Sequence, residues 1–570
     1  MSVDSTRLEV MKNAFFSIAE EMGAVLIRAA YSTNIKDRRD CSCAIYTKNG
    51  ELAAQAEHIP LHLGIMPSAV KAILGYCEEE SMELNPGDAL LCNDPFITGS
   101  HTWDLMVVSP VFHDGETAAV VGNLAHHADI GEHKGHVAVE ALYEGIRIPP
   151  VKLVKGGVLD SEILSLVKSN VRVEEVGRDL LAQVGSNVRG AARLKEMFAR
   201  EGAGGVGTHM EDLIRYSERR LESAISRLPE RKASFEDYIE GDGVSEELVK
   251  IRVTVAVEGP RITMDFTGTD PQTTGPINSP LPVTLACAGY VVKALLDPDA
   301  PSNEGVYHPL QTVAPEGSLV NASYPAAVAY ANSVTCMRIV DVILGAFAEI
   351  TPDRVCAAST GTMNALNIKG VDPNSGRFYG YIETYAGGWG AMRDMDGLDA
   401  THTHMTNTMN APVEAIEIAY PLRIHRYGVI RDSEGAGKHR GGVGITREIE
   451  AIGHTATLGG RGDRTRIKPW GMEGGHQARG SRYYKKHGNN DVVSIPSKFQ
   501  GVLLSPGDRI VIETAGGGGW GDPKERAPEQ VRSDVVNGFI SVQRARETYH
   551  VVIDEHTNAV DYAKTRDLRG

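Results

Sequence analysis

"DLMVVSPVFHDGETAAVVGNLAHHADIG", residues 104–131, sets the architecture around it. Two apolar runs flank His113-Asp114-Gly115-Glu116, and Asp-Gly between such runs is a hairpin signal. The stretch predicts two adjacent antiparallel strands. The second ends in "NLAHHADIGEH" (123–133), which holds three histidines, an aspartate and a glutamate. Side chains along a strand alternate between two faces, so His126 points away from His127 and Asp129. Only one of these sets can face a single site, and parity alone leaves open which.

Upstream, Leu8, Met11, Phe15, Ile18, Met22 and Leu26 recur at helical spacing and predict a core-facing helix over 5–31. "CSCAIYTKNGELAAQA" places two strand-like runs around Asn49-Gly50, a second hairpin. A turn and helix follow in "IPLHLGIMPSAVKAILGYC", then a strand in "GDALLCNDPF". Downstream, 159–227 is helical in pattern. "VKIRVTVAVEGPRITMDFTGTD" alternates with period two and reads as antiparallel sheet. Residues 279–350 mix helix and loop, and 376–525 are glycine-rich and mostly β. "DPKERAPEQVRSDVVNGFISVQRARETY" closes with two short helices.

The expected fold class is α+β, multi-layered and mixed. An N-terminal α/β metal-bearing domain (1–229, with the helical segment 159–227) is followed by a mixed domain (230–375). A β-rich antiparallel domain (376–525) and a short helical tail (526–570) complete it. A chain of 570 residues exceeds what one core supports, in keeping with three to four units.

Composition excludes several classes. A net charge of −16 weighs against nucleic acid, whose phosphates require basic patches. No apolar run approaches the ~20 residues of a membrane span, and the N-terminus lacks a signal-peptide pattern. Seven scattered cysteines argue for a reducing compartment, so a cytoplasmic location is expected. There is no G-x-x-x-x-G-K-[ST] loop, no G-x-S-x-G elbow and no H-E-x-x-H helix, which disfavours a self-contained ATPase or serine hydrolase. "AGGGGWGDP" (515–523) has no lysine and reads as tight-turn geometry.

What remains is a concentration of ligand-type residues: Asp40 in "DRRDCSC", Asp94 in "NDP", His101 and Asp104 in "SHTWD", then His126, His127 and Asp129. Imidazole with carboxylate is a donor set for zinc, manganese or iron. Plainer roles compete. Asp40 reads equally as a partner of Arg38 or Arg39, Asp94 as an Asx turn, and Cys41 and Cys43 as small core residues. His58 and His62 in "HIPLHLG" either orient a ligand or sit at a helix start. His402, His404 and Asn407 in "THTHMTNTMNAP" either face a ligand or belong to a polar loop.

"NIKDRRDCSCAIYTKNGELAAQAEHIPLHLGIMPSAV" (34–70), "GDALLCNDPFITGSHTWDLMVVSPVF" (87–112), "AHHADIG" (125–131), "EGIRIPPVKL" (144–153), "DFTGTDPQTTGPIN" (265–278), "DSEGAGKHRGGVG" (432–444) and "AGGGGWGDP" resemble, in order, the hydantoinase B/oxoprolinase family. The resemblance implies the large B-type subunit of an ATP-dependent amidohydrolase acting on hydantoins, 5-oxoproline or lactams. The related alternative is the metal-bearing subunit of a ketone carboxylase of the acetone or acetophenone type. A third reading, from outside enzymology, is a non-catalytic assembly protein with structural histidines. The resemblance further implies an A-type partner that binds ATP and magnesium and phosphorylates the substrate carbonyl oxygen, in an α2β2 or larger hetero-oligomer. It places one divalent transition metal (Zn, Mn or Fe) on Asp40, His101, Asp104 and His126. Asp104 or Asp129 is then a proton acceptor, and Glu132 or His133 shapes the pocket. The chain departs from the family pattern at "TGSHTWD", with bulky Trp103 between ligands, and at "DIGEHKGH", with extra polar groups.

Overall fold

The computed structural model describes residues 5–56, 58–133, 136–488 and 491–570. Lys134 and Gly135 of the divergent "DIGEHKGH" lie outside these. The chain is α+β, built from helices and four principal sheets.

The first sheet contains β1 (Cys41–Thr47), β2 (Leu52–Gln55), β3 (Ala89–Cys92), β4 (Asp104–His113), β5 (Glu116–His126), β6 (Val151–Lys155) and β7 (Val158–Leu159). Its order is β2-β1-β5-β4-β3-β6-β7, with every neighbouring pair antiparallel. Both predicted hairpins form. Asp114 and Gly115 have φ of 51° and 85°, as a two-residue turn with both residues left-handed requires.

The strands read as continuous apolar runs because both faces are covered. Cys41, Cys43, Ile45, Val121 and Ala125 join a core with the opening helix, Ser5–Ala29, whose six predicted apolar positions are all buried. Ala44, Tyr46, Val120 and Leu124 point the other way, into a core with the helices Pro60–Glu79 and Leu281–Leu296.

A bulge fixes the register that matters. At the turn His113 pairs with Glu116, but a shift between Val111 and Phe112 sets Asp104 opposite His126. Without it Asp104 would face Ala125, and His126 would point to the opposite side of the sheet. Cys41 pairs with Ala125 and Ser42 with Leu124, so Asp40, Ser42, Asp104 and His126 share the face toward helix Pro60–Glu79.

The second sheet bears out the period-two reading: Val249, Ile251, Val253, Val255 and Val257 are buried in strand Leu248–Glu258. It is not wholly antiparallel, since Arg261–Asp265 and Leu310–Val313 pair in parallel after a crossover through helix Leu281–Leu296. The third sheet runs Phe378–Thr384, Ala365–Val371, Ala456–Arg461, Lys498–Leu504, and the fourth is built on Ile445–Ala451 and Asp508–Glu513. The tail carries a third helix, Tyr562–Arg569, beyond the two expected; Asp561 caps it by accepting from Lys564 N.

The glycine tract also differs from expectation. Gly516, Gly517, Gly518 and Gly519 do not have positive φ; among the glycines of "AGGGGWGDP" only Gly521 does, at 74°. These four are glycines because other backbones press against them. A Cβ on each would drive into the carbonyl of Ser433, Trp389, Trp470 or Ala436, respectively. Gly517 N donates to Gly442 O at 2.9 Å and Gly518 N to Ala358 O at 2.8 Å, while Gly435 N donates to Gly517 O at 2.8 Å. The tract ties loops together at distances no side chain permits.

Candidate metal centre

Each side chain arrives by a local cause. Asp104 opens β4 and His126 closes β5, brought together by the bulged register. His101 sits in the turn before β4. Asp40 precedes β1, where its carbonyl accepts from His126 N at 3.0 Å. His62 projects from the first turn of helix Pro60–Glu79.

His101, Asp104 and His126 offer donor atoms that all lie within 4.8 Å of one another, and all three residues are buried. His126 Nδ1 and Asp104 Oδ1 are 2.9 Å apart. Asp104 Oδ2 accepts from Ser100 Oγ and from Asn332 Nδ2, the latter at 3.2 Å. His62 Nε2 stands 3.5 Å from Asp104 and 3.9 Å from Asp40, and its Nδ1 faces Ser42 Oγ at 3.3 Å. Asp40 lines one cavity with His62, His101 and His126, and Arg38 reaches its carboxylate at 3.7 Å.

Electrostatics favour a neutral His101 beside an ionised Asp104, whereas at His62 the lowering by burial is outweighed by Asp104 and Asp40, and that ring is raised. Burial pushes His101 down to about 3, against the pull of Asp104. Burial acts to raise the Asp104 carboxyl, but His101, His62 and the hydrogen bond from His126 hold it well below the usual carboxylate range. Two buried ring nitrogens, His101 Nδ1 and His126 Nε2, have no hydrogen-bond partner among the described residues. A buried polar atom without a partner is costly, so such atoms call for a ligand or water. Imidazole nitrogens without a protein partner, beside carboxylates, fit a divalent transition ion, whose bonds to such donors run about 2.0–2.2 Å. The Nδ1 contact of His126 to Asp104 fixes the ring and leaves Nε2 facing the cavity without a partner among the described residues.

The other candidates lie elsewhere. His127 points to the opposite face and meets Gln183 Oε1 at 2.9 Å. Asp129 accepts from Gly131 N at 3.1 Å and from Arg172 through both backbone and guanidinium. Glu132 pairs with Lys369 and lines an adjoining cavity with His133, His136 and Trp103. Asp94 caps helix Pro95–Thr98, accepting from Phe96 N at 3.0 Å. Cys41 and Cys43 are core residues, and all seven cysteines are free and buried. The His404 ring meets Trp389 at a tilt of 57° with centroids 4.9 Å apart, and Asn407, at an outer cavity, donates to His58 O at 3.0 Å.

Sequence reading missed Ser100, Asn332, Glu144 and Arg461. Glu144 is buried beside Arg461, with Oε1 accepting from Val328 N and Ala329 N at 2.7 Å and Oε2 unpartnered. Burial pushes its carboxyl up to about 8 despite those bonds. Its place at the head of "EGIRIPPVKL" was the only signal in the sequence.

No helix among the described residues is long and apolar enough to cross a membrane. The profile of the hydantoinase B/oxoprolinase family matches residues 4–523. An uncharacterized protein of Methanocaldococcus jannaschii is 41% identical over 578 residues, covering 100% of both chains. A Pseudomonas sp. (strain NS671) protein, named for the B-type subunit of a D-/L-hydantoinase, is 33% identical, covering 100% of this chain and 98% of the other. An ATP-dependent caprolactamase from Pseudomonas jessenii superposes with TM-score 0.91 at 28% identity over 100% of both chains. A chain of an ATP-dependent acetone carboxylase shares the fold, with TM-score 0.92 at 18% identity over 100% of this chain and 82% of the other.

Proposed function

This chain belongs to the hydantoinase B/oxoprolinase family, and from that premise we propose that it is the B-type subunit of an ATP-dependent enzyme that opens cyclic amides. The observation that carries the reading is the buried convergence of His101, Asp104 and His126, with Asp40 on the same cavity and two imidazole nitrogens unpartnered. An ATP-binding A-type partner phosphorylates the carbonyl oxygen, because this sequence has no phosphate loop.

An amide resists water because its nitrogen lone pair is delocalised and the amine leaves poorly; O-phosphorylation converts it to an imidate-like electrophile. Asp40, His101, Asp104 and His126 would hold a divalent ion. Such an ion supplies Lewis acidity and lowers the pKa of a water toward ~7. Asp104 orients His126 and is itself fixed by Ser100 and Asn332. Arg38, whose Nη2 donates to Thr384 Oγ1 at 3.0 Å, holds Asp40 on the cavity wall. His62 stands between both carboxylates, placed to hold or pass a proton. Leu61, Met363 and Met405 keep the cavity largely apolar elsewhere.

The test is reconstitution with the A-type partner and assay of ATP-dependent opening of hydantoins, 5-oxoproline and lactams. Turnover of at least one of these, dependent on both chains, is the expected result. Turnover that instead requires bicarbonate and a ketone would replace this reading with a carboxylase.

A further inference from the structure

Arginine keeps its charge in proteins, so a buried guanidinium needs an anion. Arg38, Arg338, Arg440, Arg447, Arg464 and Arg526 are buried, and each stands within 3.7 Å of a carboxylate. Arg461 is the exception. It ends strand Ala456–Arg461 and is 7% exposed, yet among the described residues its side chain donates no hydrogen bond and forms no ion pair. Its guanidinium carbon stands 5.7 Å from the centroid of the Tyr330 ring, and Glu144 lines the same cavity without hydrogen-bonding to it.

Its position is equally specific. Arg461 lines the cavity of Asp40, His62, His101 and His126, and it also lines the adjoining cavity of Trp103, Glu144 and Tyr330. The two spaces meet at this side chain. Lys369 and Arg172, the other cations nearby, are matched by Glu132 and Asp129. With a divalent ion in place, Asp40, Asp104 and Glu144 would face that ion and the guanidiniums of Arg38 and Arg461, so positive charge would exceed negative even with all three carboxylates ionised. An anion held at Arg461 meets that excess, and a phosphate monoester dianion does so with more charge than a carboxylate carries.

We propose that Arg461 grips the phosphoryl group of an O-phosphorylated amide at the mouth of the metal cavity, through the two-pronged hydrogen bonding a guanidinium offers phosphate. This rests on the hydrolase reading above. The unpaired donors hold the phosphoryl oxygens while the amide carbon lies toward His101 and His126. Arg461 thereby selects the activated amide over the free one, which lacks the anion.

The test uses inorganic phosphate as probe, titrated calorimetrically into the full chain with and without bound metal, with metal content measured by elemental analysis. The metal-loaded chain binds phosphate more tightly than acetate. Arg461→Gln weakens phosphate by about tenfold or more, and Arg461→Lys, which keeps the charge but loses the fork, falls between. Metal content is unchanged in both variants. Equal phosphate affinity in Arg461→Gln and the parent, no phosphate binding by the parent, or acetate binding as tightly as phosphate each overturns the proposal. A parent chain that takes up no metal contradicts the hydrolase reading separately, and the metal-free phosphate comparison still reports on Arg461.

Discussion

Replacing Asp104 by asparagine yields a folded chain that retains no transition metal and supports no turnover with its partner. Asparagine matches the shape of the side chain, so the β4–β5 pairing with His126 persists. The amide nitrogen takes the place of one accepting oxygen, so either His126 on Oδ1 or the pair Ser100 and Asn332 on Oδ2 loses its acceptor. The site therefore loses an anionic donor and one of the contacts that orient it or His126. Removing an orienting partner alone typically costs ten- to a hundredfold in metal affinity, so losing ligand and orienter together costs more than about a hundredfold. Metal content, circular dichroism and turnover on one preparation check this. Retained metal in a folded Asp104→Asn chain would remove Asp104 from the ligand set.

Gly517→Ala has a comparably large effect, on stability. A Cβ at that position collides with the backbone carbonyl of Trp389, which cannot rotate away as a side chain would. Gly517 N and O are also hydrogen-bonded, to Gly442 and Gly435, so the tract cannot shift without breaking those bonds. Destabilisation of about 4 kcal/mol or more follows, at the upper end of single-residue effects. Thermal denaturation checks it, with Gly428→Ala as control, because nothing lies within 4 Å of a Cβ there and its φ is not positive. A Gly517→Ala chain that melts with the control would show that the tract has room to spare.

Local features of the fold were legible, and long-range ones were not. Asp114-Gly115 announced its hairpin because few residue pairs accept two left-handed residues in succession, and Asn49-Gly50 did so through Gly50, which alone of that pair has positive φ, at 79°. Helix Ser5–Ala29 declared itself because one stripe is buried. Strand parity separated His126 from His127, but choosing between them rested on family resemblance. The physical reason for the choice is the bulge between Val111 and Phe112, whose position no residue pattern announces. Asn332 and Arg461 are remote in sequence from Asp104, and spacing carries no information across such separations. In the glycine tract, composition did not distinguish a tight turn from close backbone approach, since glycine serves both.

The metal-to-protein ratio of the purified chain and of Asp40→Ala tests the account most directly. Asp40 is the proposed ligand farthest in sequence from the others, and it stands on the cavity wall rather than within the tight His101–Asp104–His126 group. The four-ligand site predicts about one divalent transition ion per parent chain and none in a folded Asp40→Ala chain. Full occupancy in folded Asp40→Ala, or a parent chain that binds no ion, would contradict it.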